Sequence, residues 1–124
     1  MKKNSFFSRL KIAFTGIGGA FKQEANFRIQ LLVAIVVIVL MIVLQLGFLA
    51  DAVLILTMVT VLSLELLNSQ IEKFLDIIEP EHHAKVKVIK DFSAGAVLIS
   101  ILGSIIIGLL LMGPRLLSLL FHGI

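Results

Sequence analysis

The chain has 124 residues, a formal net charge of +3 and no cysteine, and 59% of its residues are hydrophobic against 15% charged. That length fits a single domain, taken as residues 1–124, and that balance excludes an ordinary soluble globule. Without cysteine there is no disulfide, no thiolate nucleophile and no cysteine metal site. The positive charge raises nucleic acid as a partner. The basic residues flank apolar runs rather than lining one soluble face, however, so the expected partner is an anionic membrane leaflet, with no nucleic acid.

In residues 1–28, Phe6, Leu10, Ala13, Phe14, Ile17 and Phe21 recur at spacings of three and four, with Arg9, Lys11 and Lys22 between them. This pattern predicts an amphipathic helix over about 5–24, lying in the membrane interface. No small-residue cleavage motif follows a short apolar core, so no cleavable signal peptide is expected. The cluster Gly16-Ile17-Gly18-Gly19 is not a phosphate loop: a dinucleotide fingerprint needs glycine where Phe21 stands, and a P-loop needs Gly-Lys followed by Ser or Thr. It predicts a kink or a close helix contact.

Leu31 to Ala50 is apolar except for Gln45, enough residues to cross about 30 Å of hydrocarbon at roughly 1.5 Å each. A first span is placed at about 29–50, with a short turn at Gly47 and Asp51. The second helix is expected from near Asp51 to about Asp76, with its span at 52–72. A third uncharged run, 92–112, ends at Gly113-Pro114. Ala96, Ser100, Ser104 and Gly108 share one face of it and suit close helix packing in lipid. The fold class is thus all-α: three transmembrane helices after an interfacial helix, with small-residue faces that favour assembly as an oligomer.

Lys2, Lys3, Arg9, Lys11, Lys22 and Arg28 precede the first span, and Lys73, Lys85, Lys87 and Lys90 are assigned to the second loop. Only Arg115 lies elsewhere. The positive-inside rule then places the N-terminus and the 77–90 loop in the cytoplasm and the C-terminus outside.

The chemistry gathers between Glu65 and Asp91. Glu65, Asn68, Glu72 and Asp76 form one polar stripe roughly 80° wide on the second helix. Glu65 follows an uncharged stretch and lies ~21 Å down that helix when it is counted from Asp51. An intramembrane acid is costly and marks a functional site by default. The stripe begins in hydrocarbon, where a lipid headgroup reaches it, and ends in water, where a nucleotide does. Glu65 fits a general base for a hydroxyl proton, and it equally fits a structural carboxylate bonded to a neighbouring helix. Glu24 and Glu72 could hold Mg²⁺, which takes a few carboxylates plus substrate phosphates; they also fit as solvated surface acids. Lys90 could neutralise phosphate charge or anchor the helix at the interface. His82 and His83 are adjacent and diverge by about 100° on a helix, which is poor for one metal. Neither is placed to activate Ser69, so no Ser-His-Asp set is read.

Over essentially its whole length the chain resembles the small prokaryotic diacylglycerol kinase and undecaprenol kinase family. The resemblance rests on Glu24-Ala25-Asn26-Phe27-Arg28, on Glu65-Leu66-Leu67-Asn68-Ser69 with Ile71-Glu72 and Asp76, and on Lys90-Asp91 followed by Ala94-Gly95-Ala96-Val97-Leu98. It implies a homotrimer with shared active sites in the bacterial cytoplasmic (inner) membrane, phosphorylating a lipid alcohol with ATP and Mg²⁺. Glu65 would be the catalytic base, and Glu24 and Glu72 would hold the metal and the ATP phosphates. Asn68, Asp76, Lys90 and Asp91 would contact ATP or order the site, and the loop Glu81-His82-His83 would touch the nucleotide. Phe14, Asn26, Phe27, Arg28 and Ala94 would meet the lipid together with Glu65. Asn26-Phe27-Arg28 and the Ala94–Leu98 stretch look more like the undecaprenol kinase branch. The chain departs from the family at Gln70, where alanine is usual, at Ser5, where a basic residue is usual, and at Phe14, where tryptophan is common. The competing class is a non-enzymatic membrane subunit or small channel whose intramembrane acids stabilise an assembly.

Overall fold

A computed structural model describes residues 5–81 and 83–123. Those residues form four helices: α1 (Phe6–Gln23), α2 (Ala25–Leu44), α3 (Phe48–Ile78) and α4 (Ala84–His122). The last three are long and apolar enough to cross a membrane. Their outward faces carry Leu, Ile, Val and Phe at high exposure along their length, a surface that suits lipid rather than water.

Ser5 starts α1, its hydroxyl accepting a hydrogen bond from the Ser8 amide at 3.2 Å. The position where the family carries a cation is here a helix cap. Gly16, Gly18 and Gly19 lie inside the continuous helix, and a Cβ at any of them would meet nothing within 4 Å. The cluster makes no close helix contact among the described residues, and it leaves space beside α1.

Glu24 is extended and forms the elbow between α1 and α2. Arg28 fixes that elbow: its guanidinium donates to the carbonyls of Phe21 at 2.7 Å and Lys22 at 3.0 Å. It thereby satisfies carbonyls that the last turn of α1 leaves open and adds a cation at the negative end of that helix. The buried residues of α2 are Phe27, Ala34, Met41 and Leu44. With Gln30 and Val37 they follow a three-four spacing that defines the inward face.

The first span is shifted from its expected place. α2 starts at Ala25 and stops at Leu44, and the chain reverses through Gln45 at φ 52° and Gly47 at φ 108°. Phe48, Leu49 and Ala50, read above as the end of the first span, are the first turn of α3. Hydropathy does not register this turn because apolar residues flank it on both sides. The left-handed backbone does, and at Gly47 it favours a residue without a Cβ. Asp51 sits in the first turn of α3, where a carboxylate complements the helix dipole.

α3 and α4 pack most extensively against each other, and α2 packs mainly on α3. Contrary to the expected stop, α4 runs through Gly113 and Pro114 to His122. Long apolar helices tolerate proline where neighbouring groups absorb the lost backbone bond. Just beyond it, Arg115 donates through Nε to the Leu44 carbonyl at 3.1 Å, tying α4 to the C-terminal end of α2. Lys73, assigned above to the second loop, is on α3. The small-residue face of α4 is only partly a packing face. Ser100 and Ser104 turn their hydroxyls back to the carbonyls of Val97 and Ile101, while Ser104 and Gly108 line an apolar cleft of about 510 Å³ between α2, α3 and α4.

Candidate active site

Two carboxylates of the site are drawn out of solvent by the fold. Glu65 is 6% exposed on α3, and its Oε1 accepts a hydrogen bond from Gln30 Nε2 of α2 at 2.7 Å. Gln30 was not singled out from sequence, although it lies on the buried face of α2 and that signal was available. The other amide atom, Gln30 Oε1, is buried without a protein partner, and Gln30 stands at one end of the apolar cleft. The start of α3 at Phe48 puts Glu65 ~26 Å along the helix, against the ~21 Å counted from Asp51.

Ser69, one turn beyond Glu65, is buried and bonds the Leu66 carbonyl at 2.9 Å. Gln70, the departure from the family pattern, is exposed and donates to Ser69 Oγ at 3.3 Å. It faces away from the stripe, toward a cavity of about 430 Å³ between α1 and α3. Asn68 is half-buried, with its Oδ1 out of solvent and without a protein partner.

Glu24 carries the second withdrawn carboxylate, with a side chain 19% exposed. Its Oε1 lies 2.6 Å from the Lys73 ammonium, which also donates to Gln23 Oε1 at 3.2 Å. Lys73 follows Glu72 directly, so this ion pair brings the α1–α2 elbow to the level of Glu72 on α3. Glu72 itself is exposed. Lys73 was likewise not singled out; its place beside an acid of the stripe was the available signal.

At the next turn Asp76 meets α4. Lys90 Nζ lies 2.5 Å from Asp76 Oδ1, and Asp91 is held by Lys87 at 2.7 Å within α4. Glu81 and His83 are exposed between α3 and α4, with His83 at the N-cap of α4; His82 lies outside the described residues. Among the lipid-contact candidates, Phe14, Asn26 and Ala94 are exposed. Phe27 is 4% exposed and belongs to the packed face of α2, so within one protomer its ring supports the helix rather than offering a surface. Arg28 is turned onto α1 as described. The structure therefore joins Gln30 with Glu65, Glu24 with Lys73, and Asp76 with Lys90, while Glu81, His83, Phe14 and Ala94 make no such contact among the described residues.

Can this donor set hold a divalent cation? No group of three or more His, Asp or Glu that could hold a metal occurs among the described residues, so the chain does not form a full cage. Magnesium does not require one: it commonly takes one or two carboxylates and completes its shell with waters and phosphates. Glu24 is a largely withdrawn carboxylate already matched by a cation, and Glu72 is an exposed carboxylate at the same level of α3, one residue before Lys73. Those residues fit a magnesium ion that arrives with phosphate ligands.

A family model described as prokaryotic diacylglycerol kinase matches residues 11–112. A diacylglycerol kinase of Synechocystis sp. is 39% identical over 111 residues, covering 89% of this chain and 63% of that protein. An undecaprenol kinase of Bacillus subtilis is 35% identical over 113 residues, covering 91% of this chain and 92% of that protein. The chain thus spans less than two thirds of the first relative and nearly the whole of the second.

Proposed function

The chain belongs to the prokaryotic diacylglycerol kinase family, and from that premise we propose that it transfers the γ-phosphoryl group of ATP to the hydroxyl of a membrane lipid alcohol at the cytoplasmic interface. The observation that carries this reading is Glu65, a buried carboxylate held by Gln30 just past the middle of the 31-residue α3, whose stripe continues to Glu72 and Asp76. Phosphoryl transfer asks the protein for positioning, charge neutralisation and a group that orients the acceptor hydroxyl. In this reading the lipid oxygen bonds to the γ-phosphorus and the bond from that phosphorus to the bridging oxygen of ADP breaks. The hydroxyl proton goes to Glu65. The products are the lipid phosphate and ADP.

Glu24 and Glu72 would hold magnesium, which supplies neutralisation of the phosphate oxygens when bound. Lys90, steered by Asp76, offers a point cation to phosphate, and Asn68 and Asp91 order the surrounding groups. Glu81, His82 and His83 bound the nucleotide side. Asn26, Phe14 and Ala94 face the lipid, with Phe27 and Arg28 holding the elbow beneath them. The membrane is the bacterial inner membrane, with the N-terminus and the 77–90 loop cytoplasmic and the C-terminus outside. The wide apolar exposure of the single chain and its small-residue faces support a homotrimer with shared sites.

For the acceptor we place undecaprenol first, because the relative matched over almost its whole length carries that name. Diacylglycerol is the second reading, supported by the more identical relative. The test is ATP consumption by purified protein in mixed micelles, with each lipid alcohol offered side by side. Lipid-dependent ADP release with matching lipid phosphate is the expected result. Absence of turnover on both lipids overturns the reading in favour of a non-enzymatic membrane subunit. Crosslinking in membranes that yields only monomer overturns the shared site.

A further inference from the structure

We propose that Lys73 is a displaceable counter-ion of this site: it holds the Glu24 carboxylate before loading, gives it up to the divalent cation, and turns its ammonium to the phosphate that the cation carries. The inference rests on the kinase reading above and deepens it by adding a positioning residue.

Three observations combine. The first is asymmetry of exposure within the pair. The Lys73 side chain is 47% exposed and the Glu24 side chain 19%. A withdrawn carboxylate needs a cation beside it, whereas a half-exposed lysine with a flexible four-carbon stem can leave at small cost. The second is the donor count. The ammonium has three donors and gives one to Gln23 Oε1 at 3.2 Å, while Glu24 Oε1 lies 2.6 Å away as an ion-pair partner without a hydrogen bond of its own, so donors remain for an added acceptor. The third is room. Lys73, Gln23 and Glu24 line the cavity of about 430 Å³ between α1 and α3, with Gly16, Gly19 and Gln70 around them. No Cβ narrows its α1 wall at Gly16 or Gly19, so the lysine has space to swing.

Electrostatics then sets the order of events. A divalent cation on Glu24 and an ammonium on the same carboxylate repel each other at a few ångströms, so one must yield. The released ammonium stays anchored one residue from Glu72, where it would meet phosphate carried by a cation on the two carboxylates. A charge-assisted hydrogen bond to phosphate then takes the place of the ion pair with Glu24. Gly16, Gly19, Gln70 and Lys73, none of which the proposed chemistry otherwise uses, thereby acquire a shared role.

The test measures binding rather than turnover. Mn²⁺ is titrated into the purified full chain in detergent, without nucleotide, and free ion is followed by electron paramagnetic resonance. Lys73→Met removes the competitor and is expected to bind Mn²⁺ about two- to fivefold more tightly than wild type, the worth of a half-exposed ion pair. The same variant is expected to bind Mg·ADP more weakly by a similar factor, and Lys73→Arg stays near wild type in both. Opposite signs for the bare ion and the metal nucleotide are what a purely structural lysine would not produce. Equal Mn²⁺ affinities in wild type and Lys73→Met, or no Mn²⁺ bound by either, overturn the proposal. Lipid-dependent ATP turnover is read on the same wild-type sample: its presence with equal affinities removes only the Lys73 role, and its absence removes the kinase reading itself.

Discussion

Gln30 donates to Glu65 across 35 residues of sequence, Nε2 to Oε1 at 2.7 Å, and so the acid that sequence analysis marked as the chemical centre is oriented from another helix. The bond comes from α2, whereas the other side-chain partner of Glu65, Asn68, stands one turn away on α3 itself. Gln30→Met keeps the length of the side chain and removes the donor. Loss of a hydrogen bond to a charged group is worth ~1.5–3 kcal/mol, so kcat is expected to fall on the order of tenfold or more while apparent ATP affinity stays near wild type. Steady-state kinetics with both substrates varied would check this split. An effect confined to ATP affinity would contradict the orienting role.

Glu65 itself should show a larger effect of the same kind. Glu65→Gln preserves size and hydrogen bonding but cannot take the hydroxyl proton. It is expected to lower kcat by ~10²–10⁴-fold, the usual worth of general base catalysis, with the helices still folded because a buried acid has been neutralised. If the variant keeps most of its kcat, Glu65 is a packing residue.

Glu24→Gln and Glu72→Gln should act on the nucleotide side instead. Each removes a carboxylate from the set that fits magnesium, so apparent Mg·ATP affinity is expected to weaken severalfold, and the deficit to shrink when magnesium is raised. Titrating magnesium at fixed ATP separates this from a loss of kcat alone.

The stripe from Glu65 to Asp76 was legible because helical periodicity places its members on one face wherever the helix begins. The three long apolar helices were legible because hydropathy reports composition over many residues. Their ends were not. Apolar residues on both sides hid the Gln45–Gly47 turn, and Gly113-Pro114 read as a stop although α4 continues through it. The partners of the site were also out of reach. Gln30, Lys73 and Arg115 matter through contacts with distant segments, and periodicity within one helix says nothing about which residue of another helix stands opposite. Gln30 came nearest to being readable, since it interrupts the apolar face of Phe27, Ala34 and Met41 in register.

Asp76 and Lys90 connect α3 to α4 at the loop end of the site, with side chains 53% and 22% exposed. A pair this accessible contributes little to stability, ~0.2–1 kcal/mol in a double-mutant cycle. Exchanging the two charges, Asp76→Lys with Lys90→Asp, should therefore keep the fold but leave a carboxylate where phosphate charge is to be met. Thermal unfolding is expected to stay close to wild type while ATP turnover is lost. Recovery of turnover by the exchanged pair would assign both residues to helix packing.

Arg115 offers a prediction at the opposite end of the bundle. Its Nε donates to the carbonyl of Leu44, the last residue of α2, where the helix leaves carbonyls unpaired and carries partial negative charge. The contact follows Pro114 directly, so it holds α4 to α2 at the point where the proline ring replaces an amide donor. Arg115→Met keeps the apolar stem and removes the cap. The cost is expected to be about 1 kcal/mol, below the ~1.5–3 kcal/mol of a charged hydrogen bond because the arginine is exposed. Since the change lies far from Glu65, kcat and ATP affinity should remain near wild type at low temperature, with a lower unfolding midpoint in the same detergent. A variant with unchanged stability would mean that the Leu44 carbonyl finds another donor, and a selective loss of kcat would show that the α2–α4 tie is transmitted along the cleft to Gln30.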